Sequence, residues 1–247
     1  MSLLTNIQAY WKFDESSGNA VDSVVSKVLT NNGGVVFDAG KINNGADFGS
    51  ANSSKSFTAL SMPFMSGYGG GPLTVSVWVK FQAQPATNGT MSIVYFLKST
   101  NVAGSDFGFQ CAYQDVSGTK KLYFWTPFTG MAGTYAVTLT TGTWYHVCTT
   151  IDASKNWVVY LNGTSVMSGT GTTGNNIGTQ DQMYVGSDTT PSYMSGNVDE
   201  LAIWSTGLLS SDVLQLYSSG NGFQYPFSQL FVPNTIILQA VNRSNTY

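Results

Sequence analysis

Charged side chains are scarce in this sequence, and the scarcity excludes several classes of protein. Lys, Arg, Asp and Glu make up 9% of its 247 residues, against about 25% in an ordinary soluble domain. Coiled coils and helical bundles need charged outer faces, so the composition argues against both. The formal net charge is −3, and Arg243 is the only arginine. We therefore expect no nucleic-acid partner, because no basic stripe is available to neutralise phosphates.

Cysteines and long apolar runs are scarce as well. Cys111 and Cys148 are too few, and too far apart in the sequence, for a disulfide framework or a zinc site of their own. They are interpreted as two buried thiols in strands, with a disulfide as the alternative. No stretch reaches the ~18 consecutive apolar residues of a membrane span. Residues 1–18 lack a basic region and a long apolar run, so no secretory signal is recognisable.

What the sequence does contain is a series of short segments in which apolar and polar residues alternate. In 73–80, Leu73 and every second residue after it are aliphatic, whereas the residues between them include Trp78. Alternation with period 2 is typical of strands, and Gly, Asn, Ser and Thr separate the segments. Asn162-Gly163 lies between two of them and predicts a tight hairpin. The segments recur at intervals of about ten to fifteen residues. This spacing predicts an all-β, two-sheet antiparallel jelly-roll sandwich.

The C-terminal part of the chain departs from this pattern twice. One short helix is predicted near 210–218, begun by a cap at Ser210 or Ser211 and ended by Gly220. Residues 1–222 are interpreted as one domain. Residues 223–247 form an extended C-terminal tail in which aromatic and aliphatic groups stand beside prolines. A tail as apolar as this one needs a protein surface to cover. We therefore expect it to pack on the domain or on a neighbouring subunit.

Six segments in a fixed order carry a family resemblance. They are Tyr10–Gly18, Gly40–Phe48, Leu73–Val79, Thr143–Val147, Trp157–Gly163 and Gly196–Trp204. Together they resemble the laminin G-like jelly roll of the concanavalin A-like lectin/glucanase superfamily, over roughly residues 7–222. The resemblance implies two facing antiparallel sheets and a role in binding, most often of glycans or protein surfaces.

The resemblance also implies a metal site. Members of the family often hold a calcium ion near the opening loop and the Val-Asp-Glu strand, where this sequence has Asp22 and Asp199. One structural calcium ion is therefore expected, although Gly49 stands where the family frequently has an aspartate. The alternative is that Asp22 caps a turn and Asp199 accepts backbone hydrogen bonds.

Catalysis is not expected from the titratable residues. The only adjacent acidic pairs are Asp14-Glu15 and Asp199-Glu200. Neighbours in a strand point to opposite faces, so neither pair is expected to act as the two carboxylates of a glycosidase. His146 is the only histidine. We interpret it as structural, with a ring nitrogen bonded to a neighbouring strand or loop.

Aromatic rings at loops or strand ends are the candidate sugar platforms, because sugar C–H faces pack on rings while amides pair with the hydroxyls. The candidate rings are Tyr68, Trp125, Tyr135 and Tyr193, near the amides Asn88, Asn101, Asn175 and Gln180. The alternative for Trp125 and Tyr135 is a core or sheet-face position.

Two functions remain open at this point. The first is a non-catalytic recognition or structural protein that contacts glycans or cell-surface polymers as a surface component of a larger assembly, such as the tail or head decoration of a phage virion. The second is a free-standing lectin or the carbohydrate-binding module of a secreted protein. The missing secretory signal and the apolar tail favour the first, and with it a location on a virion or extracellular surface.

Overall fold

The chain forms a sandwich of two antiparallel sheets, as the alternating segments predict. The computed structural model describes residues 3–49, 53–62, 71–89, 91–98, 108–126, 130–171, 182–188 and 192–228. In this part of the chain the strands are β1 (Ile7–Trp11), β2 (Ala20–Val21), β3 (Val28–Asn32), β4 (Val36–Ala39), β5 (Asn44–Asp47), β6 (Ser56–Ala59), β7 (Leu73–Phe81), β8 (Ser92–Lys98), β9 (Gly108–Val116), β10 (Thr119–Thr126), β11 (Gly130–Ala136), β12 (Trp144–Ile151), β13 (Asn156–Leu161), β14 (Thr164–Thr170), β15 (Gln182–Val185) and β16 (Gly196–Trp204).

The strand order crosses over repeatedly, as in a jelly roll. The first sheet runs β14-β13-β12-β7-β16-β5-β4, and β1 also pairs with β16. The second sheet runs β11-β10-β9-β8-β15-β6-β3-β2. The two-sheet, all-β architecture with one short helix is therefore confirmed.

The main core lies between the inner faces of the two sheets. In β7 the residues Leu73, Val75, Val77 and Val79 are all buried there, as the period-2 alternation requires. Trp78 is also buried, but on the opposite face of the first sheet. The first sheet therefore has a covered outer face as well as an inner one.

Helix α1 (Ser210–Tyr217) covers part of that outer face. The helix is confirmed, but the predicted caps are wrong. The chain enters it one residue earlier, at Leu209, whose backbone N–H donates to the Asp212 carboxylate at 3.0 Å. It leaves at Ser218, which adopts the left-handed conformation with φ 48°. No helix of the described ranges is long and apolar enough to cross a membrane.

Residues Phe223–Ser228, called the docked segment below, cover the rest of that face. Phe227 is 9% exposed, and its ring centroid lies 5.5 Å from that of Tyr10 and 6.2 Å from that of Trp204. Phe223 and Tyr225 are partly buried against the same cluster. The first six residues assigned to the tail therefore belong to the packing of the sandwich, and residues 229–247 lie outside the described residues.

Two local predictions are confirmed by geometry. Asn162 and Gly163 have φ of 51° and 76°, which closes the hairpin between β13 and β14. The Asn162 side chain also accepts the backbone N–H of His146 at 2.9 Å. Cys111 and Cys148 are free and buried. Burial raises the pKa of the Cys111 thiol to about 12, so it stays protonated.

Candidate functional site

The outer face of the second sheet carries a line of rings and amides that crosses four strands. Strand register places Trp125 of β10 opposite Gln110 of β9, Gln110 opposite Phe96 of β8, and Phe96 opposite Tyr184 of β15. Residues paired in this way project from the same face of the sheet. We call Trp125, Gln110, Phe96 and Tyr184 the aromatic–amide row.

Stacked pairs fix the rings of the row. The Trp125 ring stacks on Tyr123 with centroids 5.3 Å apart and planes 17° apart, and Phe96 stacks on Tyr184 at 6.1 Å and 26°. Trp125, Gln110 and Tyr184 are only partly buried, whereas Tyr123 and Phe96 are buried. The Tyr184 hydroxyl donates to Gln182 at 2.7 Å. The Trp125 and Tyr184 rings keep partly open faces beside amide and hydroxyl groups, the arrangement that suits a sugar. Phe96, at 3% exposed, supports Tyr184 and offers no open face itself.

The aromatic rings that the sequence analysis proposed as sugar platforms do not lie together in the structure. Trp125 lies in the row. Tyr135 pairs with Leu122 and packs against the main core, so it lies on the other face of the sheet. Tyr193 is partly buried in a bridge to Ser187 after β15. Trp125 and Tyr135 therefore cannot contribute to one site.

Of the remaining nominated residues, only Asn88 lies in the described part of the chain, and it is not in the row. The Asn88 side chain accepts the backbone N–H of Ser117 at 2.8 Å, near the turn between β9 and β10. Tyr68, Asn101, Asn175 and Gln180 lie outside the described residues. Asn88 therefore has a structural role at a turn.

Three members of the row were not found from the sequence. Gln110, Phe96 and Tyr184 come from three strands, and only the register between β8, β9 and β15 brings them together. Each strand shows an outward aromatic or amide residue by itself, which is a common pattern. The sequence does contain one indication of this site. Phe96 and Tyr184 are aromatic residues at positions of their strands where the alternation places polar, outward-facing residues.

Asp22 is used as a backbone acceptor, which is the alternative to a calcium ligand. Its Oδ1 accepts the N–H of Tyr10 at 2.5 Å and of Val24 at 2.9 Å. Its Oδ2 accepts the N–H of Val25 at 2.7 Å and of Lys27 at 3.3 Å. Four donors occupy the lone-pair sites of this carboxylate, so Asp22 does not fit a calcium ion that needs six to eight oxygens.

Asp199 is enclosed in a similar way at another turn. Its Oδ2 accepts the N–H of Lys41 and Ile42 at 2.7 and 3.0 Å, and its Oδ1 accepts the N–H of Glu200 at 2.9 Å. Burial raises its pKa, and the neighbouring Glu200 adds to the effect. No group of three acidic, histidine or cysteine side chains in the described ranges is placed to hold a metal ion. The calcium ion stays a prediction that this arrangement of donors does not support.

Asp199 and Glu200 do not point to opposite faces, so the prediction from strand alternation is wrong for this pair. The register of β16 shifts between Asp199 and Ala202, and Glu200 adopts φ 52°. This bulge turns two successive carboxyls to the outer face of the first sheet. Glu200 is 4% exposed there.

Glu200 has two side-chain partners in this buried position. It is hydrogen-bonded to the Tyr10 hydroxyl, and its Oε1 accepts the Gln224 amide at 2.6 Å. Burial raises its pKa to about 7, although both hydrogen bonds lower it. The carboxyl therefore titrates near neutral pH.

His146 has the structural role that the sequence indicated, although a serine and a glutamate lie beside it, as in a catalytic site. Its Nε2 is hydrogen-bonded to the Ser76 hydroxyl at 2.8 Å. Burial lowers its pKa to about 3, so the ring is neutral. Ser76, His146 and Glu200 line one cavity of about 10 Å³ with Trp78 and Phe223. That volume holds about one water molecule, so this serine–histidine pair has no room for a substrate.

Comparison with known protein families gives one match to this chain. A family described as the concanavalin A-like lectin/glucanases superfamily matches residues 52–214. No curated protein sequence matches the chain.

Solved structures share the fold at low sequence identity. Domain 4 of AbnA, an extracellular arabinanase from Geobacillus stearothermophilus determined with arabinotriose, is 21% identical with a TM-score of 0.62, covering 85% of this chain and 97% of that one. Trypanosoma rangeli sialidase in complex with sialic acid is 13% identical with a TM-score of 0.65, covering 87% of this chain and 33% of the sialidase. This chain thus spans a third of that enzyme. The match over residues 52–214 shows that the chain belongs to the concanavalin A-like lectin/glucanase superfamily.

Proposed function

We propose that this protein is a non-catalytic glycan-binding protein that holds its ligand on the aromatic–amide row. The observation that carries the proposal is the alignment of Trp125, Gln110, Phe96 and Tyr184 across four strands of one sheet face. The open rings of Trp125 and Tyr184 and the amide of Gln110 lie in one line, which matches the C–H faces and hydroxyls of a sugar chain. Two of the similar structures were solved with arabinotriose and with sialic acid, and this supports the glycan class.

The row is rigid before any ligand binds. Tyr123 supports the Trp125 ring, and Tyr184 is held both by Phe96 and by its hydrogen bond to Gln182. Rigid rings lose little conformational entropy on binding, so more of the stacking energy appears as affinity. The row is therefore a preorganised binding surface.

Two lysines add positive charge to the same face. Lys98 lies two residues after Phe96, and Lys121 lies two residues before Tyr123, so strand alternation directs both to the face of the row. Asp and Glu are absent from this face in β8, β9, β10 and β15. Glycans that carry carboxylate or sulfate groups gain from this charge, with a dependence on salt.

A glycan array with neutral and acidic oligosaccharides tests the proposal. Trp125→Ala should lower the affinity for every bound glycan by at least about tenfold, equivalent to about 1.4 kcal/mol. Trp144→Ala is the matched control, because Trp144 is a partly buried tryptophan in the first sheet. Equal binding by wild type and Trp125→Ala, or no glycan bound by the folded wild type, would refute the row as the site.

The absence of catalysis is part of the proposal. Supporting it, the Asp199-Glu200 pair is buried and Ser76 and His146 share a cavity of about 10 Å³. A glycosidase needs two carboxyl groups on either side of a bound sugar, with room for it. We expect glycans recovered after long incubation to be unchanged in length and reducing ends.

We further propose that the protein works within a larger assembly on a virion or extracellular surface, where residues 229–247 contact neighbouring subunits. The apolar run Thr235–Val241 supports this, because it needs a surface to cover. A chain ending at Ser228 keeps the docked segment and is the right deletion for the test. It should lose assembly, measured by light scattering, while glycan binding persists. Unchanged oligomers would favour the free-standing lectin or the carbohydrate-binding module of a secreted protein.

A further inference from the structure

The outer face of the second sheet continues past the aromatic–amide row on two more strands. Tyr184, at the end of the row, is paired with Thr58 of β6, and Thr58 is paired with Thr30 of β3. Their neighbours in the chain, Phe57 and Leu29, are buried in the main core. Because successive residues of a strand point to opposite faces, Thr58 and Thr30 project from the same face as the row.

Hydrogen bonds hold this part of the face in one arrangement. The Asn32 side chain donates to the Thr58 hydroxyl oxygen at 2.9 Å and to the backbone carbonyl of Thr30 at 3.1 Å. The bond from Asn32 uses one lone pair of the Thr58 hydroxyl and leaves its proton to be donated. Thr58 is partly buried, and Thr30 is exposed. The two threonines, called the hydroxyl extension below, therefore present polar groups to a ligand beyond Tyr184.

Open aliphatic surface lies beside the hydroxyl extension. Val28, two residues before Thr30 in β3, is 42% exposed, and Leu60, which directly follows β6, is 71% exposed. The antiparallel pairing of β3 with β6 places both on the same side of the Thr30–Thr58 pair. Exposed apolar side chains grouped beside polar ones are typical of a contact surface. Sugar C–H groups can pack on them while sugar hydroxyls bond to the threonines.

The row and the hydroxyl extension together set the length of ligand that this face can hold. From Trp125 to Thr30 the pairing makes five steps between neighbouring strands, through β10, β9, β8, β15, β6 and β3. Each step is about 4.8 Å, so the line is about 24 Å long. A sugar unit in an extended chain advances by about one strand spacing, so this length corresponds to about five units. The row alone corresponds to about three.

We infer that this face binds an unbranched stretch of about five sugar units that lies across the strands, stacked on Trp125 and Tyr184 at one end and hydrogen-bonded to the hydroxyl extension at the other. The inference rests on the proposed glycan-binding function and adds to it the size and direction of the ligand. Stretches of this length occur within polysaccharides. The ligand class is therefore an extended polymer, and not a single terminal sugar.

The dependence of affinity on chain length tests the inference. The probes are linear oligosaccharides of glucose, arabinose and galacturonic acid, each from one to six units, measured by titration calorimetry on the full chain. For the series that binds, affinity should rise at least about tenfold between three and five units and then level off, because the added units reach the threonines. If the array finds glycans that need Trp125, but no series binds or affinity is equal from two to six units, the inference is overturned and the proposed function stands. If no glycan binds at all, both fail.

A double variant assigns the added affinity to the hydroxyl extension. Thr30→Val with Thr58→Val removes both hydroxyls and keeps the β-branched shape that suits a strand. It should lose about tenfold in affinity for five units and clearly less for three, since three units can stay on the row. Trp125→Ala should weaken binding at every length.

Thr119→Val is the matched control for the double variant. Thr119 is an exposed threonine at the start of β10, and strand alternation directs it to the same face as Trp125. This variant should bind every length as the wild type does. An equal loss for three and five units in the double variant, or no loss for five, would overturn the inference. If the double variant does not fold, Thr30→Val alone should show the same difference between lengths, at about threefold.

Discussion

Phe227 offers the sharpest test of where the domain ends. The sequence places the boundary at residue 222, yet Phe227 is 9% exposed and its ring centroid lies 5.5 to 6.2 Å from those of Tyr10, Tyr225, Phe223 and Trp204. Phe→Ala in a core costs about 3–5 kcal/mol. We expect about 3 kcal/mol for Phe227→Ala, the lower end, because the ring is not fully buried.

Thermal unfolding followed by calorimetry measures this cost. For a domain of this size each kcal/mol lowers Tm by about 2–4 °C, so Phe227→Ala should melt about 6–12 °C below wild type. Leu214→Ala is the control, because Leu214 is 57% exposed on α1 and its loss should change stability by less than about 0.5 kcal/mol. If Phe227→Ala melted within about 2 °C of wild type, the docked segment would not be part of the folded domain, and the boundary at 222 would stand.

Three further predictions concern pH, a turn and calcium. Glu200 has a pKa raised from 4.5 to about 7, so its stabilisation is full below pH 4.5 and falls by about 3 kcal/mol as pH rises through 7; urea unfolding of Glu200→Gln should show a flatter profile over this window. Gly163→Ala should cost about 1–2 kcal/mol, because φ is 76° and the new Cβ lies 2.9 Å from Leu214, whereas Gly118→Ala, with φ 83° and open space, isolates the backbone cost. Asp22→Ala should cost about 2 kcal/mol, because four backbone N–H donors lose their hydrogen bonds to its carboxylate; millimolar calcium should leave wild-type Tm unchanged, and a rise abolished by Asp22→Ala would restore the calcium site.

The parts of the fold that could be predicted are those determined by residues within one strand or one turn. The alternation of Leu73 and Val75 with Trp78 indicates two apolar faces in β7, and both exist. Asn162-Gly163 specifies its own hairpin, since only positive φ at both residues closes it. These signals need no knowledge of a distant partner.

The parts that could not be predicted depend on pairing between distant residues. The aromatic–amide row exists only because β8 lies between β9 and β15, an order that the sequence does not state. The shared face of Asp199 and Glu200 comes from one bulge, which alternation cannot anticipate. The helix caps were misplaced because Asp212 reaches back to Leu209, and an aspartate in the first turn competes with a serine at the cap.

The scarcity of charged side chains has a different physical effect on the outer face of each sheet. Under the docked segment, Glu200 is costly to bury in its charged form, because burial is the largest cause of its raised pKa. On the row, Gln110 and Tyr184 keep hydrogen-bonding capacity without the desolvation cost of an ion. A carboxylate at Gln110 would face Trp125 and Phe96 and would have to lose its hydration before a sugar could stack. The scarcity of charge therefore leaves uncharged hydrogen-bonding groups beside the rings of the row, while the buried carboxyls of Asp199 and Glu200 carry the desolvation cost on the other sheet.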